Sequence, residues 1–170
     1  NLDNRPVRKS ILKKMTDIIQ HRGPDGEGFW IKNNVGIGHR RLSVIDLSNA
    51  GNQPMISKDE RYILSYNGEI YNFIELRKEL KNKGHIFNSN TDTEVVLNAL
   101  IEWGEKAILK FNGMFAFALW DNKKKKLMLG RDRYGIKPIY YSLQNNTFAF
   151  ASEQKSIVFQ NYFKKNIEFQ

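Results

Sequence analysis

Three short segments of this sequence place polar residues and glycines where a fold alone would not need them. They are residues 21–26 (HRGPDG), residues 38–43 (GHRRLS) and residues 66–71 (YNGEIY). Each begins where a predicted helix or strand ends, and binding groups are commonly displayed at such positions. Their residue types suit stabilisation of a negative oxygen and binding of a charged small molecule, although each segment alone is a weak signal.

Asn67 and Gly68 have two interpretations. An Asn-Gly pair after a strand is ordinarily the turn of a β-hairpin, and composition alone favours that interpretation. The alternative is an oxyanion hole, in which the asparagine side-chain amide and the next backbone N–H point at one developing negative oxygen. These two residues are sufficient for either structure.

Three charged residues could bind the ionic groups of a small substrate. Arg41 could hold a carboxylate bidentately, whereas an isolated arginine is more often a surface charge. Glu69 and Asp92 could together clamp a substrate ammonium, whereas each considered singly is more typical of a helix start or a surface. The residues alone leave these alternatives open.

The helices that must position these residues follow from hydrophobic spacing and cap residues. Apolar residues at helical spacing predict an amphipathic helix over residues 6–20. Asn72 and Glu75 form a variant of the capping box and predict the start of a second helix. Thr91 or Asp92 can cap a third helix.

Strands account for most of the remaining chain. The predicted hairpins pair residues 29–32 with 35–39, 114–120 with 127–129, and 139–143 with 147–151, and residues 62–66 form another strand. Residues 114–120 are apolar at every position, so both faces of that strand should be covered. Together with the amphipathic helices, this pattern predicts an α+β fold with two mostly antiparallel sheets packed between helix layers.

Length and composition indicate one domain and disfavour several kinds of site. The 170 residues suit a single compact domain, residues 1–170. The chain has no secretory signal pattern and no apolar run near the ~20 residues that span a bilayer, so we expect a cytoplasmic protein without membrane contact. It has no cysteine, and its three histidines lack metal-ligand spacing, so we expect no disulfide and no metal.

The net charge of +9 raises nucleic acid as a partner. The densest basic run, residues 123–126, lies between two apolar segments and is typical of a solvated hairpin tip. No aromatic residues alternate with the lysines to stack on bases. We therefore expect no nucleic-acid binding.

Taken in order, six segments closely resemble the glutaminase domain of asparagine synthetases, which are N-terminal-nucleophile amidotransferases. The segments are HRGPDG, GHRRLS, YNGEIYN, NTDTE, GMFAFALWD and GRDRYGIKP, and the resemblance covers nearly the whole chain. Six segments in one order are far more specific than any one of them. The resemblance implies a four-layer α/β/β/α sandwich that hydrolyses L-glutamine to glutamate and ammonia.

The resemblance also implies a role for each candidate residue. Arg41 matches the arginine that binds the α-carboxylate of glutamine, and Asn67 with Gly68 matches the oxyanion hole. Glu69 and Asp92 match the groups that hold the α-ammonium. Four further residues match a wall whose backbone borders the substrate: Leu42, Ser43, Val44 and Ile45.

In the family that these segments resemble, the nucleophile is a cysteine at the mature N-terminus. We expect a Cys-Gly-Ile-like strand directly upstream of Asn1, and without it residues 1–170 should be inactive. Downstream we expect a synthetase domain with a loop such as SGGLDS, which uses ATP and Mg²⁺ to amidate aspartate. The glutaminase domain itself should need no cofactor, and a homodimer remains open.

Two other functions remain open from the sequence. The chain could be a degenerate domain that binds glutamine, or serves as a scaffold, without hydrolysis. It could also belong to a related amidotransferase that passes ammonia to a sugar phosphate or to phosphoribosyl pyrophosphate.

Overall fold

Turn and cap residues divide the chain into short helices and strands. The computed structural model describes residues 1–43 and 48–158. The helices are α1 (Lys9–Asp17), α2 (Phe73–Asn82), α3 (Asp92–Trp103) and α4 (Gln154–Val158). The strands are β1 (Gly26–Lys32), β2 (Val35–Arg41), β3 (Met55–Ile56), β4 (Tyr62–Ile70), β5 (Gly113–Asp121), β6 (Lys126–Arg131), β7 (Tyr140–Gln144) and β8 (Thr147–Ala151).

All strand pairs within the described residues are antiparallel, as the hairpin pattern predicts. The largest sheet has the order β3-β4-β5-β6, while β1-β2 and β7-β8 form two separate hairpins. Asn33 allows the β1-β2 turn through a φ of 52°, and Asn145 and Asn146 do the same for β7-β8 with φ of 48° and 57°. The three predicted hairpins are therefore confirmed.

The elements stack in four layers. Helix α1 packs on β1 and β2, and α4 packs on β7, β8 and α1. Strand β2 contacts β4 across the middle of the molecule, and α3 packs on β4 with α2 beside it. The predicted α+β class and the α/β/β/α layering are confirmed, with the difference that the second sheet layer consists of two hairpins rather than one continuous sheet.

Strand β5 is buried on both faces, as its uninterrupted apolar sequence predicts. Phe115 and Phe117 belong to the main core with α2 and α3. Trp120 lies on the opposite face and packs with Ile37 of β2 and Ile63 of β4. These two clusters lie on opposite faces of the four-stranded sheet.

One predicted helix start and one predicted cap differ from the structure, while the second helix follows Asn72 as predicted. Helix α1 begins at Lys9 rather than residue 6, and the N–H of Val7, before the helix, donates to the carbonyl of Asn33 at 2.9 Å. Asn72 makes no cap on α2, since its side chain bonds Lys110 O and Asn112 N, each at 3.0 Å. The remaining cap is confirmed, because the Thr91 hydroxyl accepts the N–H of Glu94 at the start of α3.

Among the described residues, none of the helices has the length and apolar character needed to cross a membrane. Nor does that part of the chain group three or more histidine, aspartate or glutamate side chains so that they could hold a metal ion.

Candidate active site

A cavity of about 1690 Å³ opens between the two sheet layers. It is bordered by β2, β4 and β8 and continues along β2 to Asn33 and Asn34 and along β8 to its first residue, Thr147. Every described candidate residue lines it: Arg41, Leu42, Ser43, Asn67, Gly68, Glu69 and Asp92. The other two candidates, Val44 and Ile45, lie outside the described residues.

Asn67 and Gly68 lie inside β4 rather than at a turn. Asn67 pairs with Ala116 and Gly68 with Phe115 of β5. The hairpin-turn interpretation is therefore wrong. A Cβ added to Gly68 would overlap the backbone of Met114 and Phe115, so glycine is required here by the close approach of β5.

The backbone N–H of Gly68 points away from β5. Phe115, opposite Gly68, directs its own N–H and C=O toward Asp132 at the β6 side, so the Gly68–Phe115 pair is a non-hydrogen-bonded one. The neighbouring N–H groups on the same edge of β4 are already bonded. Tyr66 N donates to Gln53 Oε1 at 2.7 Å, and Ile70 N donates to Asp92 Oδ2 at 3.0 Å.

The N–H of Gly68 thus lies between two satisfied donors and has no acceptor within residues 1–43 and 48–158. The side-chain amide of Asn67 likewise has no partner in the described part of the chain, and it lines the cavity. Adjacent donors left without acceptors at a cavity wall suit the binding of one oxygen that gains negative charge.

Arg41 lies at the end of β2, where its guanidinium is held by the segment that follows. Its Nη1 donates to the Ser48 carbonyl and to Asn52 Oδ1, each at 2.9 Å. Gly51 of the same segment lies so close that a Cβ there would overlap Arg41 Nη2. The arginine is therefore fixed at the cavity wall, where a carboxylate could bind it.

Asp92 is the first residue of α3, and its carboxylate is buried. Oδ2 accepts hydrogen bonds from the Tyr66 hydroxyl at 2.8 Å and from Ile70 N at 3.0 Å. Burial raises the pKa of Asp92 above its ordinary value, although these hydrogen bonds oppose the shift. Burial, and next the charge of Asp92, raises the pKa of Tyr66, so its hydroxyl stays a donor.

Glu69 provides the second carboxylate at the cavity. It is partly exposed and lies at the end of β4, opposite Met114. Its carboxylate makes no hydrogen bond or ion pair within the described ranges. An ammonium group could therefore bind it without displacing a partner.

Residues 21–26 contact neighbouring parts of the chain and help to hold the cavity wall in place. His21 and Arg22 both bind the Glu153 carboxylate, at 2.9 Å and 3.2 Å. Asp25 accepts the N–H of Ser43 at 2.7 Å, which fixes the cavity wall after Arg41. Gln53, whose amide bonds both N–H and C=O of Tyr66, was not predicted from sequence, because its partner lies 13 residues away.

Two proteins named as glutamine-hydrolysing asparagine synthetases are similar to this chain in sequence. The chain is 47% identical over 151 residues to asparagine synthetase [glutamine-hydrolyzing] 1 of Bacillus subtilis, covering 89% of this chain and 24% of that protein. It is 40% identical to the putative asparagine synthetase [glutamine-hydrolyzing] 2 of Methanocaldococcus jannaschii, covering 91% and 33%. The chain thus spans about a quarter to a third of the length of these relatives.

A solved structure has the same fold. It is the glutamine phosphoribosylpyrophosphate amidotransferase of B. subtilis with ADP and GMP, which matches with a TM-score of 0.77 at 20% identity over 91% of this chain and 41% of that chain. A family sequence model described as "Glutamine amidotransferase domain" matches residues 2–170. With a match over nearly its whole length, the chain belongs to the glutamine amidotransferase domain family.

Proposed function

We propose that this chain is the glutaminase domain of a glutamine-dependent asparagine synthetase. It would hydrolyse L-glutamine to glutamate and ammonia for the ATP-dependent amidation of aspartate. The observation that carries the proposal is the pair of donors at Asn67 and Gly68 that have no acceptor among the described residues and lie in one cavity with Arg41 and Asp92. The names of the relatives support the aspartate acceptor.

Glutamine has the charges that this cavity complements. Arg41 would bind the α-carboxylate, while Glu69 and Asp92 would bind the α-ammonium. The side-chain carboxamide would then place its oxygen against the Asn67 amide and the Gly68 N–H. These donors would stabilise the oxyanion that forms when the carbonyl carbon is attacked.

We further propose that a strand preceding Asn1 fills the cavity between β2 and β8. Within the described residues, β2 pairs with β1 alone and β8 with β7 alone, so each has an edge without a strand partner. The buried Trp120 Nε1 also lines this cavity and has no acceptor in the described ranges. An inserted strand would supply acceptors to both edges and to the indole.

The length of that strand follows from existing hydrogen bonds. The backbone nitrogen of Asn1 donates to Asn34 O at 2.7 Å, and Leu2 N donates to Asn146 O at 2.6 Å. These residues therefore join the beginnings of β2 and β8, and the preceding chain would run antiparallel to both. Because β2 has seven residues and antiparallel strands advance equally, roughly seven upstream residues would reach Arg41.

A cysteine at the start of that strand would supply the nucleophile. Its thiolate would add to the carboxamide carbon while its α-amino group takes the thiol proton and delivers it to the departing ammonia. Water would then hydrolyse the thioester to glutamate. A downstream domain using ATP and Mg²⁺ would consume the ammonia, and this use of ATP and free amino acids suits the cytoplasm.

The complete reading frame and an ammonia-release assay test this proposal. We expect Cys-Gly-Ile or a similar strand roughly seven residues upstream of Asn1 and an SGGLDS-like loop downstream. Replacing that cysteine with alanine should abolish glutamine-dependent synthesis and leave ammonia-dependent synthesis intact. Glutamine binding without ammonia release would instead establish the degenerate domain, and a different downstream domain would identify another acceptor.

Substituting Gly51 should disturb glutamine binding without unfolding the protein. In Gly51→Ala the new methyl group overlaps Arg41 Nη2, which is the flexible end of a side chain and can move. We expect the KM for glutamine to rise roughly 10- to 100-fold, because small misplacements of a positioning group have effects of this size. Steady-state kinetics and thermal unfolding measure the two effects.

Gly26→Ala is the matched control for that variant. Gly26 pairs with Arg41 across the β1-β2 hairpin, and a Cβ there makes an ordinary contact of 3.8 Å with Arg41 Cβ. Its KM should equal that of the parent protein. Equal KM values for both alanine variants would show that the position of Arg41 does not matter for binding.

Removing the Tyr66 hydroxyl should change how glutamine binding responds to pH. The hydroxyl lowers the pKa of Asp92 against the larger raising effect of burial, so in Tyr66→Phe that pKa should rise further. The carboxylate would then be protonated at higher pH, so as pH falls the KM for glutamine should begin to rise at a higher pH than in the parent protein.

Tyr71→Phe, at an exposed tyrosine just after β4, is the control. Identical pH profiles for all three proteins would contradict a role of Asp92 in binding the ammonium.

A further inference from the structure

A side-chain hydrogen bond joins the two sheet layers beside the candidate site. His39 on β2 and Ser65 on β4 approach to 3.0 Å between Nδ1 and Oγ. Both residues line the cavity, and neither has a role in the proposed chemistry. The bond connects the β1-β2 hairpin directly to the four-stranded sheet.

The two partners occupy matching positions relative to the candidate site. His39 precedes Arg41 by two residues on β2, and Ser65 precedes Asn67 by two residues on β4. Residues two apart in a strand share a face, about 7 Å from each other. His39 therefore shares a face of β2 with Arg41, and Ser65 shares a face of β4 with Asn67.

The residues beside this bond are too small to separate the layers. Ser65 lies opposite Ala118 on β5, and His39 lies opposite Gly28 on β1. A larger residue cannot replace that glycine, because a Cβ there would overlap the carbonyl of Gln53. The imidazole is thus the bulky group that occupies the space between β2 and β4 at this level.

The ring is neutral at neutral pH. Burial, together with the nearby charge of Arg41, lowers the pKa of His39 to about 4. A neutral imidazole can exchange one hydrogen bond with a hydroxyl without placing a second positive charge beside the guanidinium. This suits a fixed spacer between two strands.

We infer that His39, through Ser65, is a positioning residue that sets the distance between the Arg41 guanidinium and the oxyanion donors at Asn67 and Gly68. This distance selects an amino acid by the length between its α-carboxylate and its side-chain carboxamide. Glutamine is accepted and asparagine, one methylene shorter, is rejected. The inference rests on the proposed function, because it assumes that Arg41 and Asn67 bind opposite ends of one substrate.

The test compares hydrolysis of glutamine and asparagine by the full-length protein. In His39→Ala and Ser65→Ala, kcat/KM for glutamine should fall by about 10²-fold, the effect expected of a misplacement near 1 Å. The preference for glutamine over asparagine should shrink as well, since the spacing is no longer fixed. His39→Asn places an amide near the position of Nδ1 and should recover much of both activity and preference.

Two measurements separate positioning from general loss of structure. Ammonia-dependent synthesis reports whether the protein is folded, and it should persist in all three variants. Ser156→Ala removes a buried serine hydroxyl, which donates to Met15 O at 3.0 Å, and it should leave the preference for glutamine unchanged.

The outcomes distinguish this inference from the function on which it rests. A parent protein that releases no ammonia from glutamine would overturn the proposed function. An active parent whose His39→Ala and Ser65→Ala variants keep the full preference for glutamine would overturn the inference alone. Failure of His39→Asn to restore the preference lost in His39→Ala would also count against it.

Discussion

Replacing Asn67 with alanine in the full-length protein should lower the kcat of glutamine hydrolysis by roughly 10²- to 10³-fold. This corresponds to about 3 to 4 kcal/mol of transition-state stabilisation, the usual effect of losing one oxyanion donor. The Asn67 amide lines the cavity without a partner among the described residues, so its loss should not disturb the fold. Steady-state ammonia release measures the effect, and thermal unfolding should be nearly unchanged.

Asn67→Asp provides the matched variant. It keeps the size of the side chain, removes the donor and adds a negative charge where the oxyanion would form, so its kcat should fall at least as far. Ammonia-dependent synthesis should proceed normally in both variants. If either variant hydrolysed glutamine at the parent rate, Asn67 would not belong to an oxyanion hole.

Replacing Arg41 with alanine should raise the KM for glutamine by roughly 10- to 100-fold, because hydrogen bonds to charged groups contribute about 1.5 to 3 kcal/mol. The effect on kcat should be smaller, since the α-carboxylate lies far from the reacting carbon. Arg41→Lys should also bind weakly, because an ammonium cannot reproduce the planar fork that holds Ser48 O and Asn52 Oδ1 while a carboxylate binds.

The neighbouring arginine is the control for this prediction. Arg40 lies on the opposite face of β2, where its guanidinium binds Asp17 and Glu27. Arg40→Ala should lower the thermal stability of the protein and leave the KM for glutamine unchanged. A similar rise in KM in both alanine variants would mean that loss of charge or stability, rather than carboxylate binding, explains the effect.

Much of the fold was predictable because its signals are local. Apolar strand segments separated by polar turns specify the three hairpins, two of them with asparagines at positive φ, and Thr91 specifies the start of α3. Asn72 shows the limit of such signals. Its side chain bonds Lys110 and Asn112, which are distant in sequence, so the local capping pattern does not form.

The resemblance named the candidate residues, and the structure brings the described ones to one cavity, while their roles stay predictions. Local chemistry alone gave the wrong structure for Asn67 and Gly68, because an Asn-Gly pair favours a turn only when no neighbouring strand extends past it. Here β5 continues opposite both residues and keeps them in β4.

The sequence by itself determined the elements and the identity of the candidate groups, because residue type and spacing act over a few positions. Only the tertiary structure decided which groups are available. Gln53 and Asp92, from other parts of the chain, accept from the N–H groups on either side of Gly68, whose own N–H has no acceptor within the described residues. In the same way, the spacing between β2 and β4 depends on His39 meeting Ser65, a contact between strands that no local pattern encodes.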